Sequence, residues 1–197
     1  MAYPEIRCED RWGEEISKAD LEAWFGAPIE IKRAHVVPGA PIVRVVKLKA
    51  KDSGAQQFAR MLHEDGSPWP KAAIGRWWAG APELPQFPAN CLASRHAERA
   101  DIATAKDNGF ADWAMGPDDK PPSSGVWPIH CPAPADGVWG LGWTPGGDNQ
   151  GGGHKTIEVT FQQFAADPTD PEDPGNGDGD GQLKRIADAL ELIASKL

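Results

Sequence analysis

The sequence predicts a mainly β protein: an antiparallel β-sandwich, Ig-like or jelly-roll-like, with a short N-terminal helix, an acidic Gly/Pro linker and a C-terminal heptad helix. Three observations predict it. Short apolar runs rich in β-branched and aromatic residues recur between turn signals from residue 41 to residue 164. Turn chemistry is spelled out at Asp65-Gly66-Ser67-Pro68 and at Asn108-Gly109. Helical periodicity is almost absent before residue 180. The chain divides into a lead-in segment packed on the sandwich (1–50), the sandwich (51–166), a disordered acidic linker (167–181) and an oligomerisation or docking helix (182–197).

Taken in order, Ser17 is an N-cap for the short helix KADLEAWF, which Gly26 closes. IEIKRAHVV alternates in part until Pro38-Gly39 breaks it, and PIVRVVKLKA has the β-branched density and length of a strand. QQFARML and KAAIGRWW flank the Asp65-Gly66 turn, while the proline-rich AGAPELPQFPANC has no usable period. Asn108-Gly109 lies between two short strands and accepts the positive φ of a tight hairpin. VWPIHC and GVWGLGW are strands separated by the turn PAPADG, and TPGGDNQGGGH is a long glycine loop. In KTIEVTFQQF, Ile157, Val159 and Phe161 alternate with Glu158, Thr160 and Gln162, which predicts one buried and one wet face.

Nine Trp stand against one Tyr. Trp77 and Trp78 are adjacent on a strand and must face opposite ways, so one is core and the other is exposed or covered. Trp113 and Trp127 are read as core. Trp139, Leu141 and Trp143 share a strand face opposite Val138, Gly140 and Gly142. That stripe is either core or a platform for sugar rings, since Trp serves both uses. The following loop carries Asp148, Asn149, Gln150 and His154, side chains that suit hydroxyl recognition or a plain surface loop. The candidate ligand-binding set is therefore Trp139, Trp143, Trp78, Asp148, Asn149, Gln150 and His154.

DGSPWPKAAIGRWW followed by TAKDNGFADWAMG resembles the Ig-like, transthyretin-type sandwich of carboxypeptidase regulatory-like and collagen-adhesin B-type modules. Asp65, Gly66, Pro68, Thr104, Asn108, Gly109 and Trp113 fill the matching places, over roughly residues 56–116. The resemblance implies a non-catalytic module acting as spacer, adhesin or sugar-binding accessory.

Catalytic signatures are missing. There is no HExxH, GxSxG, P-loop or dinucleotide fingerprint, and the five His lie on separate segments. No cofactor and no metal are expected. Asn176, Asp178, Asp180 and Gly181 match the opening of a calcium loop, but its closing acid falls on Ala187, which favours a plain linker. The three Cys form no CxxC pair. A small hydrolase with a site assembled in space stays as an alternative reading.

Net charge is −9, and the linker acids Asp167, Asp170, Glu172, Asp173, Asp178 and Asp180 supply most of it with no intervening base. Nucleic acid is thus a poor partner. No Sec signal and no membrane-length apolar run is visible, so cytoplasmic synthesis is expected, with a virion or post-lysis extracellular destination. Leu183, Ile186, Leu190, Ile193 and Leu197 form a heptad seam with Leu at a and Ile at d, a pattern that favours trimers or tetramers. The expected protein is a multivalent, non-catalytic binder of glycans or another repetitive surface, of phage fibre, receptor-binding or decoration type. A purely structural assembly subunit is the alternative.

Overall fold

A computed structural model describes residues 5–34, 41–53, 56–78, 101–115, 121, 124–129, 134–147 and 153–165. The linker, the heptad helix and the loop carrying Asp148, Asn149 and Gln150 lie outside these residues. Among the described residues the protein is mainly β, with one helix. Strands β1 (Arg7–Glu9), β2 (Glu15–Ile16), β4 (Ile42–Ser53), β5 (Gln56–Leu62), β8 (Phe110–Ala114), β11 (Thr144–Gly147) and β12 (Gly153–Phe164) form one sheet. A second sheet contains β3 (Glu30–Lys32), β6 (Ala73–Trp78), β7 (Asp101–Thr104), β9 (Ser124–Ile129) and β10 (Gly137–Leu141). The order of the first is β2-β1-β4-β12-β5-β8, with β11 also on β12; the second runs β3-β10-β9-β6-β7.

One core cluster draws on both sheets. Val45, Leu48, Ile157, Val159 and Phe161 come from the first sheet, Ile74, Val126, Val138 and Leu141 from the second, and Leu21 and Phe25 from the helix α1 (Lys18–Phe25). Cys8 on β1 and Ile29 join the same cluster, so the described residues before β4 share the core of the rest. The two-sheet arrangement is sandwich-like.

The helix follows its local chemistry. Ser17 Oγ accepts from the Asp20 amide at 3.1 Å, and Gly26 takes φ 88° to close the last turn.

The strand pairing departs from the antiparallel expectation. β1 runs parallel to β4, and β5 parallel to β12. These partners are distant in sequence, so no hairpin turn fixes their direction. Both turn signals close tight turns, with the His63 amide donating to the Ser67 carbonyl and the Lys106 amide to the Phe110 carbonyl, but each leads from one sheet to the other. Asp65-Gly66 carries the chain from β5 in the first sheet to β6 in the second, and Asn108-Gly109 carries it back from β7 to β8. Both glycines keep positive φ, 80° and 74°. A Cβ on Gly109 would lie 2.3 Å from the Met61 carbonyl oxygen. Turn residues dictate backbone conformation; which sheet receives the next strand is decided by burial.

The expected wet face of β12 is also corrected. Glu158 and Thr160 are buried along with Ile157, Val159 and Phe161. Their neighbours in register, Lys49 and Lys47 on β4 and Arg60 on β5, cover them with long side chains whose stems are apolar.

A buried carboxylate ties the sheets together. Asp136, just before β10, is 0% exposed. It accepts from Arg33 Nη1 (2.9 Å), the Ala34 amide (2.8 Å), Arg44 Nη1 (3.1 Å) and the Val45 amide (3.1 Å). Arg44 and Val45 belong to β4, so this one side chain anchors the first sheet to the start of β10 in the second.

Candidate functional site: an aromatic pair at the root of a hairpin

Of the residues singled out in sequence, Trp143 and His154 come together. Their ring centroids are 4.1 Å apart at 42°, with both side chains partly exposed. The pair sits where β11 and β12 close into an antiparallel hairpin, with Thr144 opposite Lys155 and Pro145 opposite His154. The glycine segment is thus in part a strand. A Cβ on Gly147 would meet the Gly153 carbonyl carbon and the His154 amide at 2.9 Å, so the two strands approach closely only because that position lacks a side chain.

Helix α1 holds this hairpin rigid. Thr144 Oγ1 donates to the Phe25 carbonyl at 2.7 Å, and Lys155 Nζ donates to the Trp24 carbonyl at 2.8 Å. Both acceptors are carbonyls of the helix C-terminus, where no intrahelical donor is available and a cation is favourable. Lys155 Nζ also lies 5.4 Å from the Trp24 ring centroid. His154 Nδ1 is buried without a hydrogen-bond partner. The result is a braced, partly exposed ring surface, which can stack on a flat apolar face.

The other candidates are placed differently. A register shift at Gly140, which has φ 81°, breaks the alternation of β10. Leu141 and Val138 therefore both enter the core, and the expected Trp139–Leu141–Trp143 stripe is not one face. Trp139 is 8% exposed and packs on Trp127 with centroids 5.4 Å apart. It has little face to offer a ligand. Gly140 itself faces the Pro28 carbonyl oxygen, 2.3 Å from where its Cβ would be, so the bulge admits no side chain. Trp78 pairs with Ser124 in the register of β6 and β9. Trp113 and Trp127 are buried.

Sequence reasoning missed Trp12. It is 74% exposed on the β1–β2 turn, with the Arg11 guanidinium 4.1 Å from its ring centroid. Asp10 Oδ1 fixes that turn by accepting from the amides of Trp12, Gly13 and Glu14. The signal available was the Asp-x-x-Gly spelling of the turn.

Among the described residues no group of three or more His, Cys, Asp and Glu is arranged to hold a metal ion. No helix among them is long and apolar enough to cross a membrane. Cys8 is buried as a free thiol, and desolvation is the main cause pushing its pKa up, which keeps it protonated and unreactive. No protein-family model, curated protein or solved structure matches this chain.

Proposed function

We propose that this chain is a non-catalytic β-sandwich module, Ig-like in build, that binds glycans through the Trp143–His154 ring pair. The observation that carries the reading is the pair itself: two rings in contact, tilted at 42°, partly exposed and braced by α1. Sugar rings present apolar C–H faces and equatorial hydroxyls, which match such a surface. The resemblance to transthyretin-type adhesin and accessory modules supports the same use.

One aromatic pair binds weakly, and the C-terminal sequence supplies a remedy. The heptad residues Leu183 to Leu197 gather three or four copies, with the acidic linker spacing the binding modules around the hub. Linked copies gain avidity without new contacts. A virion component such as a phage fibre, receptor-binding or decoration protein fits this layout. Affinity electrophoresis in soluble polysaccharide tests it. The full chain runs as a trimer or tetramer by light scattering and is retarded. A chain stopped at Phe164 is a monomer and loses retention on the order of 10²-fold. Equal masses for the two chains would remove the multivalent part of the reading.

A second reading, a structural assembly subunit, is favoured by Trp12 alone. A large exposed aromatic on a rigid turn, paired with an Arg, is the typical anchor of a protein interface.

A further inference from the structure

The outer face of the first sheet carries a second feature. By the period of two, His154, Thr156, Glu158 and Thr160 fall on one face of β12. Around Thr160 the register builds an unusual row across four strands. Arg7 on β1 is opposite Lys47 on β4, Lys47 opposite Thr160 on β12, and Thr160 opposite Arg60 on β5. Three cations thus stand in one row at strand spacing with no acid among them. Like charges placed this way repel.

Arg7 also meets the exposed Glu15 at 3.3 Å; the buried acids lie one row along, at Glu9 and Glu158, and both are shared. Glu9 receives Arg7 (3.2 Å), Lys47 (3.4 Å) and Lys49 (3.6 Å); Glu158 receives Lys51 (3.2 Å) and Arg60 (3.4 Å). Five cations therefore converge on two buried carboxylates. The row opens into a groove of about 500 Å³, lined by five cations (Arg7, Lys47, Lys49, Lys51 and Arg60), by one carboxylate, Glu158, and by Thr160. Thr160 is 2% exposed, and its Oγ1 has no hydrogen-bond partner. A buried hydroxyl without a partner is costly. Here it lies in register between Lys47 and Arg60, in a protein whose net charge is −9.

We propose that this groove binds an oxyanion group, a carboxylate or sulfate carried by an acidic polysaccharide. Thr160 Oγ1 donates one hydrogen bond, and Arg7, Lys47 and Arg60 supply the charge. The polymer follows from position. Thr160 and His154 are six residues apart on the same strand face, about 20 Å, so one extended chain reaches from the aromatic pair to the cationic row. This assignment of ligand class rests on the glycan reading above; the groove itself does not.

The test uses the full chain in affinity electrophoresis against a neutral polymer (hydroxyethyl cellulose), an acidic one (polygalacturonate), a sulfated one (dextran sulfate) and single-stranded DNA. Three variants change the row: Thr160→Val, Lys47→Gln and Arg60→Gln. Thr160→Val removes only the hydroxyl and keeps the shape. In the other two, each buried carboxylate retains another cation, so the fold persists.

The expected result is retention on an acidic polymer that falls roughly tenfold in each variant and falls with salt, while weaker retention on the neutral polymer is unchanged. The stronger of the two acidic polymers identifies the group as carboxylate or sulfate. Variants that bind both acidic polymers like the parent overturn the proposal. So does equal retention of DNA. A Trp143→Ala variant separates the two claims: unaltered retention everywhere refutes the aromatic site and leaves the groove standing on its own three variants.

Discussion

Asp136→Ala is expected to destabilise the protein by about 3–5 kcal/mol, the cost of leaving a buried cation and its donors without their acceptor. For a chain of this size that is a fall in Tm of roughly 10 °C. Four donors converge on this carboxylate, two from guanidinium groups and two from backbone amides. Arg44 is buried beside it, whereas Arg33 is half exposed and can return to water. Most of the penalty therefore falls on Arg44 and on the amides of Ala34 and Val45. Urea denaturation followed by Trp fluorescence measures it. Adding Arg44→Met to the variant recovers part of the loss, because the stranded charge is removed with its partner. No recovery would mean that the amide contacts, rather than the ion pair, hold the sheets together.

The second large effect concerns binding. Trp143→Ala is expected to weaken polysaccharide retention by about 2 kcal/mol, roughly thirtyfold, the usual scale for an aromatic anchor. Stability should change less than for a core Trp, since Trp143 is only partly buried at the edge of the first sheet. Trp139→Ala predicts the opposite balance. Trp139 packs on Trp127, and its six-membered ring lies 2.8 Å from where a Gly125 Cβ would stand. Removing it opens a cavity and lowers Tm, with little direct effect on ligand. Measuring Tm and retention for both variants separates a binding Trp from a packing Trp.

Local chemistry was legible in the sequence. Ser17 and Gly26 bound the helix, and Ile157, Val159 and Phe161 mark the buried face of β12, because caps and periodicity act over a few residues. Sheet assignment was not legible. Asp65-Gly66 and Asn108-Gly109 have the residues of hairpin turns, yet both carry the chain between sheets. The choice depends on where Met61, Ile74 and Ala111 find a common core, which is a tertiary matter.

The candidate site shows the same division. Trp143 and His154 are eleven residues apart and meet because β11 folds onto β12. The alternation that grouped Trp139 with Trp143 failed at Gly140, where the φ of 81° inserts a bulge that no period anticipates. Asp136 sat within an apparent turn, PAPADG, and nothing in that spelling announces four donors from two distant segments. The cationic row around Thr160 likewise exists only in the register of four strands, two of them joined in parallel.

The measurement that bears most directly on the account is an NMR titration of the nine indole N–H signals with neutral oligosaccharides. The account predicts that the Trp143 signal shifts progressively while those of Trp113, Trp127 and Trp139 stay in place. A titration in which Trp143 is unmoved at millimolar sugar, or in which Trp12 alone responds, would contradict it.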